Sequence, residues 1–419
     1  MTPQFDRLRA RITGHFGTVP PDPLGVAVSG GGDSTALLAL LDDWRRAGGP
    51  ALKVATVDHG LRPEAAAEAR EVARLCAAWN LPHSTLKWQG KDAAEAGNLP
   101  DRARRARYRL LADWARDNAV ACVAIAHTAD DQAETLLMRL ARAAGVDGLA
   151  AMARDWRQDG VRFARPALDI TRAELRAVLR SRGLSWAEDP GNADERYERV
   201  RARAVLAALA PLDIDVQTLS SVAGHLAEAR AALDAQMIAA ARRIARIESG
   251  DVVIERAGLA ELPPETARRL LRAALMWISG AEYPPRGAAL SRALERGLAG
   301  KGLTLHGCRL LAGAGKLRLT REARAVAGHF VAPGALWDGR WRLSGPDVAG
   351  ARIGALGEAG LAFCHDRPKS GLPAASLQAS PAVWRGARLL AAPLAGFGNG
   401  WRADLVSRDR QDFAARITH

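Results

Sequence analysis

Residues 26–38 read VAVSGGGDSTALL: a hydrophobic run, a serine and three glycines, an aspartate followed by two hydroxyl residues, then apolar residues at helical spacing. Strand, glycine turn and helix in this order aim backbone N–H groups and a helix N-terminus at one spot, which suits an anion. Gly30, Gly31 and Gly32 permit close backbone approach, and Ser29 and Ser34 offer hydroxyls. Asp33 stands out, because a carboxylate beside a phosphate nest repels the ligand unless a cation intervenes, and bound Mg²⁺ reverses that sign. The plainer alternative is an ordinary turn with Ser34 or Asp33 as helix N-cap. Two common nucleotide motifs do not fit, since no lysine follows the glycines and GxGxxG is absent.

Working outward, residues 24 to about 150 alternate short β-like runs with helical ones. LGVAVS, LKVATVD, STLKW and ACVAIAH read as strands; STALLALLDDWRRA, EAAAEAREVARLCAAWN, DRARRARYRLLADWARDN and TADDQAETLLMRLARAAG read as helices. This alternation predicts an α/β fold with a parallel sheet covered on both faces and ligands at the carboxyl ends of its strands. A loop–helix–loop spans 165–210, and the alternation stops near 208–215. Beyond it come Ala- and Arg-rich helices with a short strand, DVVIE, between them, and TLHGCRLLAGAGKLRLTRE (304–322) has a hairpin pattern. The chain from 330 on is rich in Pro, Gly and Trp. The expected domains are 1–212, 213–324 and 325–419.

Two more polar clusters fall at predicted strand ends. VDHGLR (57–62) puts Asp58 and His59 after the second strand. AHTADDQAETLLMR (126–139) brings His127, Asp131 and Glu134 to i, i+4 and i+7, one helical face, with Asp130 beside them. Carboxylates so close repel each other, so the pattern predicts a cation among them, Mg²⁺ on a phosphate or a substrate ammonium. The other reading is a helix N-terminus that favours negative charge. NLPDRARRARY (98–108) carries Arg102, Arg104, Arg105 and Arg107, either a solvated basic face or a clamp on phosphates.

Composition bounds these readings. The 419 residues are 48% hydrophobic and 25% charged, an ordinary globular balance. No apolar run reaches membrane-spanning length and the start lacks a signal-peptide core, so a cytoplasmic protein with no membrane partner is expected. Cys76, Cys122, Cys308 and Cys364 form no CxxC pair, so small packed thiols are expected. The net charge of +13 favours polyanionic partners, although an Arg- and Ala-rich coding bias yields the same excess.

The SGGGDS string resembles the loop of the N-type ATP pyrophosphatase (PP-loop) superfamily. SGGGDS, VDHGLR, NLPDRARRARY, AHTADDQAET, GVDGLAAM, RPALDITRAELR and WAEDPGNADERYERVRAR, in this order, are together similar to the tRNA(Ile)-lysidine synthetases over residues 24 to about 205. The resemblance implies a Rossmann-like PP-loop catalytic domain, then a helical tRNA-binding domain and a small mixed α/β C-terminal domain contacting the acceptor stem. It implies an enzyme that uses ATP and Mg²⁺ to join L-lysine to C2 of the wobble cytidine of a CAU-anticodon tRNA(Ile), with monomer or homodimer left open. On that implication Ser29 to Ser34, Asp58 and His59 serve ATP, and Asp33 and Asp131 serve the metal. Asp131 and Glu134 contact metal or lysine ammonium, with His127 beside them, while Arg104 and Arg107 steady phosphates or the cytidine adduct. EDPGN…DERY (188–197) either corresponds to a tRNA-side motif, as the resemblance implies, or is a capping and turn network. Where the family frequently has RGSG this chain has Arg142, Ala143, Ala144 and Gly145, departing at the middle two, and its Glu188, Asp189, Pro190, Gly191 and Asn192 depart from EDxSN at Gly191, losing a hydroxyl.

A tRNA thiolase on the same scaffold would need a reactive cysteine, and an amidating synthetase leaves the basic charge unexplained. A non-catalytic tRNA binder would have no use for an intact SGGGDS and acidic cluster. ATP–pyrophosphate exchange and lysine dependence separate these readings.

Overall fold

The fold is taken from a computed structural model, which describes residues 3–61, 63–88, 99–188, 198–365 and 371–406. They divide into two compact units, residues 1–230 and 231–419.

In the first unit the elements run α1 (Pro3–Gly14), β1 (Leu24–Ala27), α2 (Gly32–Arg46), β2 (Leu52–Asp58), α3 (Pro63–Ala78), β3 (His83–Lys87), α4 (Leu99–Asp117), β4 (Cys122–Ile125), α5 (Ala129–Leu140), α6 (Val146–Leu149), β5 (Asp155–Gln158), β6 (Val161–Ala164), α7 (Arg172–Ser181) and α8 (Glu198–Ala208). The sheet order is β3-β2-β1-β4-β6-β5. β1 pairs in parallel with β2 on one side and with β4 on the other. The chain therefore reverses its winding direction between β1 and β4, and that crevice is where open α/β sheets bind ligands. The glycine turn follows β1 and the acidic cluster follows β4, so the topology puts both at one spot.

Both sheet faces are covered, as the near-continuous apolar strands require. On one face Leu37, Leu38, Leu40 and Leu41 of α2 are fully buried with Leu8 and Ile12 of α1, Val72 and Cys76 of α3, and Leu175 and Leu179 of α7. Each such side chain contributes about 1.5–3 kcal/mol of transfer free energy. On the other, Tyr108, Leu111 and Trp114 of α4 pack on Val123 and Phe163. The sequence reading passed over α1 and the β5–β6 hairpin. In that hairpin β5 pairs antiparallel with β6, which is itself parallel to β4.

The second unit begins inside helix α9 (Val216–Ile244). It continues with β7 (Ala245–Glu248), β8 (Asp251–Glu255), α10 (Arg256–Ala260), α11 (Pro264–Ser279), α12 (Gly287–Leu298), β9 (Leu303–Leu305), β10 (Cys308–Gly313) and β11 (Lys316–Arg321). The strands form a sheet ordered β7-β8-β11-β10-β9, and the predicted hairpin is β10–β11. The Ala- and Arg-rich helical pattern LSSVAGHLAEARAALDAQMIAAARRIARI continues in sequence to Ile247, but the helix ends at Ile244, because Ala245–Glu248 pairs with β8. Arg269, 1% exposed, is neutralised by Asp234 at 2.7 Å and Glu265 at 2.9 Å. The remaining strands, β12 (Leu336–Trp337), β13 (Trp341–Ser344), β14 (Arg352–Ala355), β15 (Pro381–Arg385), β16 (Arg388–Ala391) and β17 (Arg402–Leu405), make two three-stranded sheets. The four cysteines are buried and unbridged. No helix among the described residues is long and apolar enough to cross a membrane.

Candidate active site

The turn after β1 is held by its own serines. Ser34 Oγ accepts from the Ser29 amide at 3.1 Å and donates to the Gly31 carbonyl at 3.0 Å, while Ser29 Oγ accepts from the Gly31 amide at 3.4 Å. Gly30 takes φ +88°, a left-handed conformation that costs an L side chain roughly 1–2 kcal/mol. The Gly30 carbonyl accepts from the Ala187 amide at 3.0 Å, and a Cβ on Gly32 would meet Trp186 Cδ1 at 3.2 Å. The segment around Trp186 thus backs the turn. The N-cap of α2 is Gly31, with no side-chain cap, so neither Ser34 nor Asp33 caps the helix. An uncapped N-terminus keeps its first amides available to an anion.

α5, by contrast, is capped. Thr128 and Asp131 form a capping box in which Asp131 Oδ2 accepts from the Thr128 amide at 2.9 Å and its hydroxyl at 3.1 Å. The Asp131 Oδ1 atom is left to face other groups. His127 precedes this cap, so the helical spacing read for it does not apply; it reaches the site from the loop after β4.

A cation of the chain itself stands among these carboxylates, Arg172 at the start of α7, where the sequence pattern pointed to Mg²⁺ or a substrate ammonium. Its guanidinium lies 3.1 Å from Asp33 Oδ2, 3.5 Å from Asp131 Oδ1 and 3.7 Å from Glu134 Oε1. Its amide donates to Asp130 Oδ2 at 2.7 Å, which ties α7 to α5. Arg203 of α8 pairs with Glu134 at 2.6 Å, and Arg199 stands 4.0 Å from Asp131. Burial still pushes the Asp33 and Glu134 carboxyls above the ordinary range, against the pull of Arg172 and Arg203. At Asp131 burial works in the same direction, but Arg172, the Thr128 amide and Arg199 outweigh it and hold the carboxyl low. Asp33 Oδ1 and Glu134 Oε2 are buried with no hydrogen-bond partner.

Both histidines are kept neutral. Burial, then Arg165, pulls His127 down to about 3. Burial, then Arg107, lowers His59.

One cavity of about 730 Å³ gathers these groups: Ser29, Gly31, Gly32, Asp33, Ser34, His59, Arg107, His127 and Asp131 all line it, with Arg172, Arg176, Arg199 and Arg203. Other anticipated residues stand elsewhere. Gly30 shapes the turn without lining the cavity, and Asp58 accepts from the Gly60 amide at 2.9 Å. Glu134 sits behind the wall, bonded to Arg203. Arg104 is exposed, with its guanidinium 5.5 Å from the Tyr108 ring. Arg62, Asn98 and residues 189–197 of EDPGN…DERY lie outside the described residues. Arg172, Arg199 and Arg203 were missed as site residues, although all lie in quoted motifs. The signal for Arg172 was electrostatic, an acidic cluster short of a cation.

An uncapped glycine turn at the switch point of a parallel sheet, facing carboxylates from the next strand end, defines a PP-loop protein. The family model described as the PP-loop domain matches residues 5–209. Over 408 residues the chain is 53% identical to a tRNA(Ile)-lysidine synthase of Ruegeria pomeroyi, covering 97% of both chains. It is 39% identical over 378 residues to one from Mesorhizobium japonicum, covering 85% of this chain and 81% of that one. The chain belongs to the tRNA(Ile)-lysidine synthase family. Among solved structures it is similar to a U34-tRNA thiolase from Methanococcus maripaludis that carries a [4Fe-4S] cluster. That match has 15% identity, a TM-score of 0.47, and covers 54% of this chain and 80% of that chain.

Proposed function

We propose that this chain joins L-lysine to C2 of the wobble cytidine in a CAU-anticodon tRNA(Ile), using ATP. The observation that carries the proposal is the single cavity in which an anion-binding turn faces a carboxylate cluster, at a volume that suits a nucleotide and a flipped base. The O2 atom of cytosine leaves poorly, so it first attacks the α-phosphorus of ATP and releases pyrophosphate. The ε-amine of lysine then attacks C2, loses a proton, and AMP departs with O2.

In this reading the amides at the start of α2, with Ser29 and Ser34, cradle the pyrophosphate. Arg107 reaches the phosphates or the adduct from α4. Asp131, with Glu134 behind it, meets either the lysine ammonium or the metal. No trio of His, Cys, Asp or Glu among the described residues could hold a metal alone. Magnesium, however, needs only one or two carboxylates when substrate phosphates complete its shell. The unpartnered Asp33 Oδ1 and the outward Asp131 Oδ1 suit that role. The ion would neutralise charge on the leaving pyrophosphate. The net charge of +13 favours a tRNA partner. In this reading the domains are 1–212, 213–324 and 325–419; separate apolar cores in residues 237–319 and 326–405 support the last division, while the compact units divide at 230/231, inside α9.

The test is incorporation of labelled lysine into a CAU-anticodon tRNA(Ile) transcript with ATP and Mg²⁺, with an initiator tRNA of the same anticodon as control. Label in the first alone is expected. Release of AMP and pyrophosphate without label in either would make lysine the wrong nucleophile.

A further inference from the structure

Arg165 is 4% exposed and follows β6 directly, yet no carboxylate pairs with it among the described residues. Burying a guanidinium without a carboxylate partner is costly, so the neutral groups around it are informative. Its Nη1 donates to the Ala153 carbonyl at 2.5 Å, and its guanidinium carbon lies 3.8 Å from the centre of the Trp156 ring. Its Nε donates to His127 Nδ1 at 3.0 Å. Trp156 is itself stacked on Phe163, its cross-strand partner, at 5.1 Å, and meets Tyr108 edge-on at 5.4 Å. The β5–β6 hairpin is thus a rigid aromatic platform beneath one arginine, and that arginine ends on a cavity-lining histidine.

A guanidinium has no acceptor atom, so Nδ1 of His127 has to be the accepting nitrogen. A neutral imidazole then carries its proton on Nε2, which has no protein partner among the described residues. We propose that Arg165 is a positioning residue for the lysine-joining reaction, fixing His127 as the Nε2–H tautomer so that it donates a hydrogen bond to the bound substrates and does not serve as their base. This rests on the reaction proposed above. It gives the hairpin a function, and it leaves the proton of the lysine amine to a group other than His127.

The first measurement is ¹⁵N NMR of the full chain labelled at histidine, with His127→Ala to assign the signal. An unprotonated Nδ1 and a protonated Nε2 are expected in the wild type; a protonated Nδ1 overturns the proposal whatever the activity. Arg165→Met, which keeps length but not the donor, is expected to mix the tautomers. It should cut kcat for lysine transfer by about 10- to 100-fold while ATP KM moves by less than about threefold. Arg165→Lys, which still donates, should restore part of kcat. In a His127→Ala background Arg165→Met should cost nothing further, because the two act as one unit. An equal loss in both backgrounds would reduce Arg165 to a packing role. Should the chain not transfer lysine at all, the tautomer measurement still stands alone, so failure of the reaction and failure of the positioning role are distinguishable.

Discussion

Replacing Arg172 by Met removes the cation around which Asp33, Asp131 and Glu134 are arranged at 3.1, 3.5 and 3.7 Å. A pair of unit charges 4 Å apart is worth about 4 kcal/mol at an effective dielectric near 20, before the cost of desolvating both partners. Breaking a buried pair by removing one partner typically costs about 3–5 kcal/mol. The Arg172 side chain retains 20% exposure, so water relieves part of that loss. The expected destabilisation is about 2–4 kcal/mol at pH 7.5, or about 4–16 °C in Tm for a unit of this size.

The pH dependence has a definite sign. Asp33 and Glu134 already have raised carboxyls in the folded protein, and without Arg172 they rise further. Asp131, which Arg172 helps to hold low, rises with them. A carboxyl raised on folding binds more protons in the native state, so its contribution to stability is present below the unfolded value, near 4, and is lost as pH increases through the folded one. The deficit of the variant should therefore shrink on acidification from pH 7.5 towards 5. Thermal unfolding of wild type and variant across that range measures it. Equal Tm values at pH 7.5, or a deficit that grows on acidification, would refute the view that Arg172 neutralises the cluster.

Gly30→Ala places a side chain at φ +88° and should cost about 1–2 kcal/mol while abolishing tRNA-dependent ATP–pyrophosphate exchange, read as radiolabel exchange at constant tRNA. Ser34→Ala removes both the acceptor for the Ser29 amide and the donor to the Gly31 carbonyl. At roughly 1 kcal/mol for each of the two bonds, ATP KM should rise by up to about 30-fold with the protein still folded, and an unchanged KM would mean that the turn holds its shape without the serine. Ala143 sits at φ +52°, just past the end of α5, where the resembling family often has glycine. Ala143→Gly should raise stability by about 1 kcal/mol, measured as a Tm increase, because only glycine occupies that region without a Cβ penalty.

Much of the site was legible locally. The strand–turn–helix at VAVSGGGDSTALL needs only neighbouring residues, because glycine backbone freedom, serine hydroxyls and apolar spacing act within a few positions. The capping boxes Thr128–Asp131 and Thr171–Glu174 are likewise local, three residues apart. The short strand β5 was not legible, because its burial alternates weakly and its partner is β6, formed only when the hairpin closes. The helical reading of Ala245–Ile247 failed for a related reason, since pairing with β8 overrides an Ala- and Arg-rich pattern.

The sequence by itself determined the alternating α/β order, the glycine turn after the first strand and an acidic helix that invites a cation, since each follows from chemistry within one or two turns of chain. The tertiary structure decided which cation that is. Arg172 lies 139 residues from Asp33, and Arg165 lies 38 from His127. Among 59 lysines and arginines, nothing local distinguishes those two. Placing β1 between β2 and β4 brings α2, α5 and α7 to one crevice. Only there does the field of three carboxylates make one guanidinium the counter-ion.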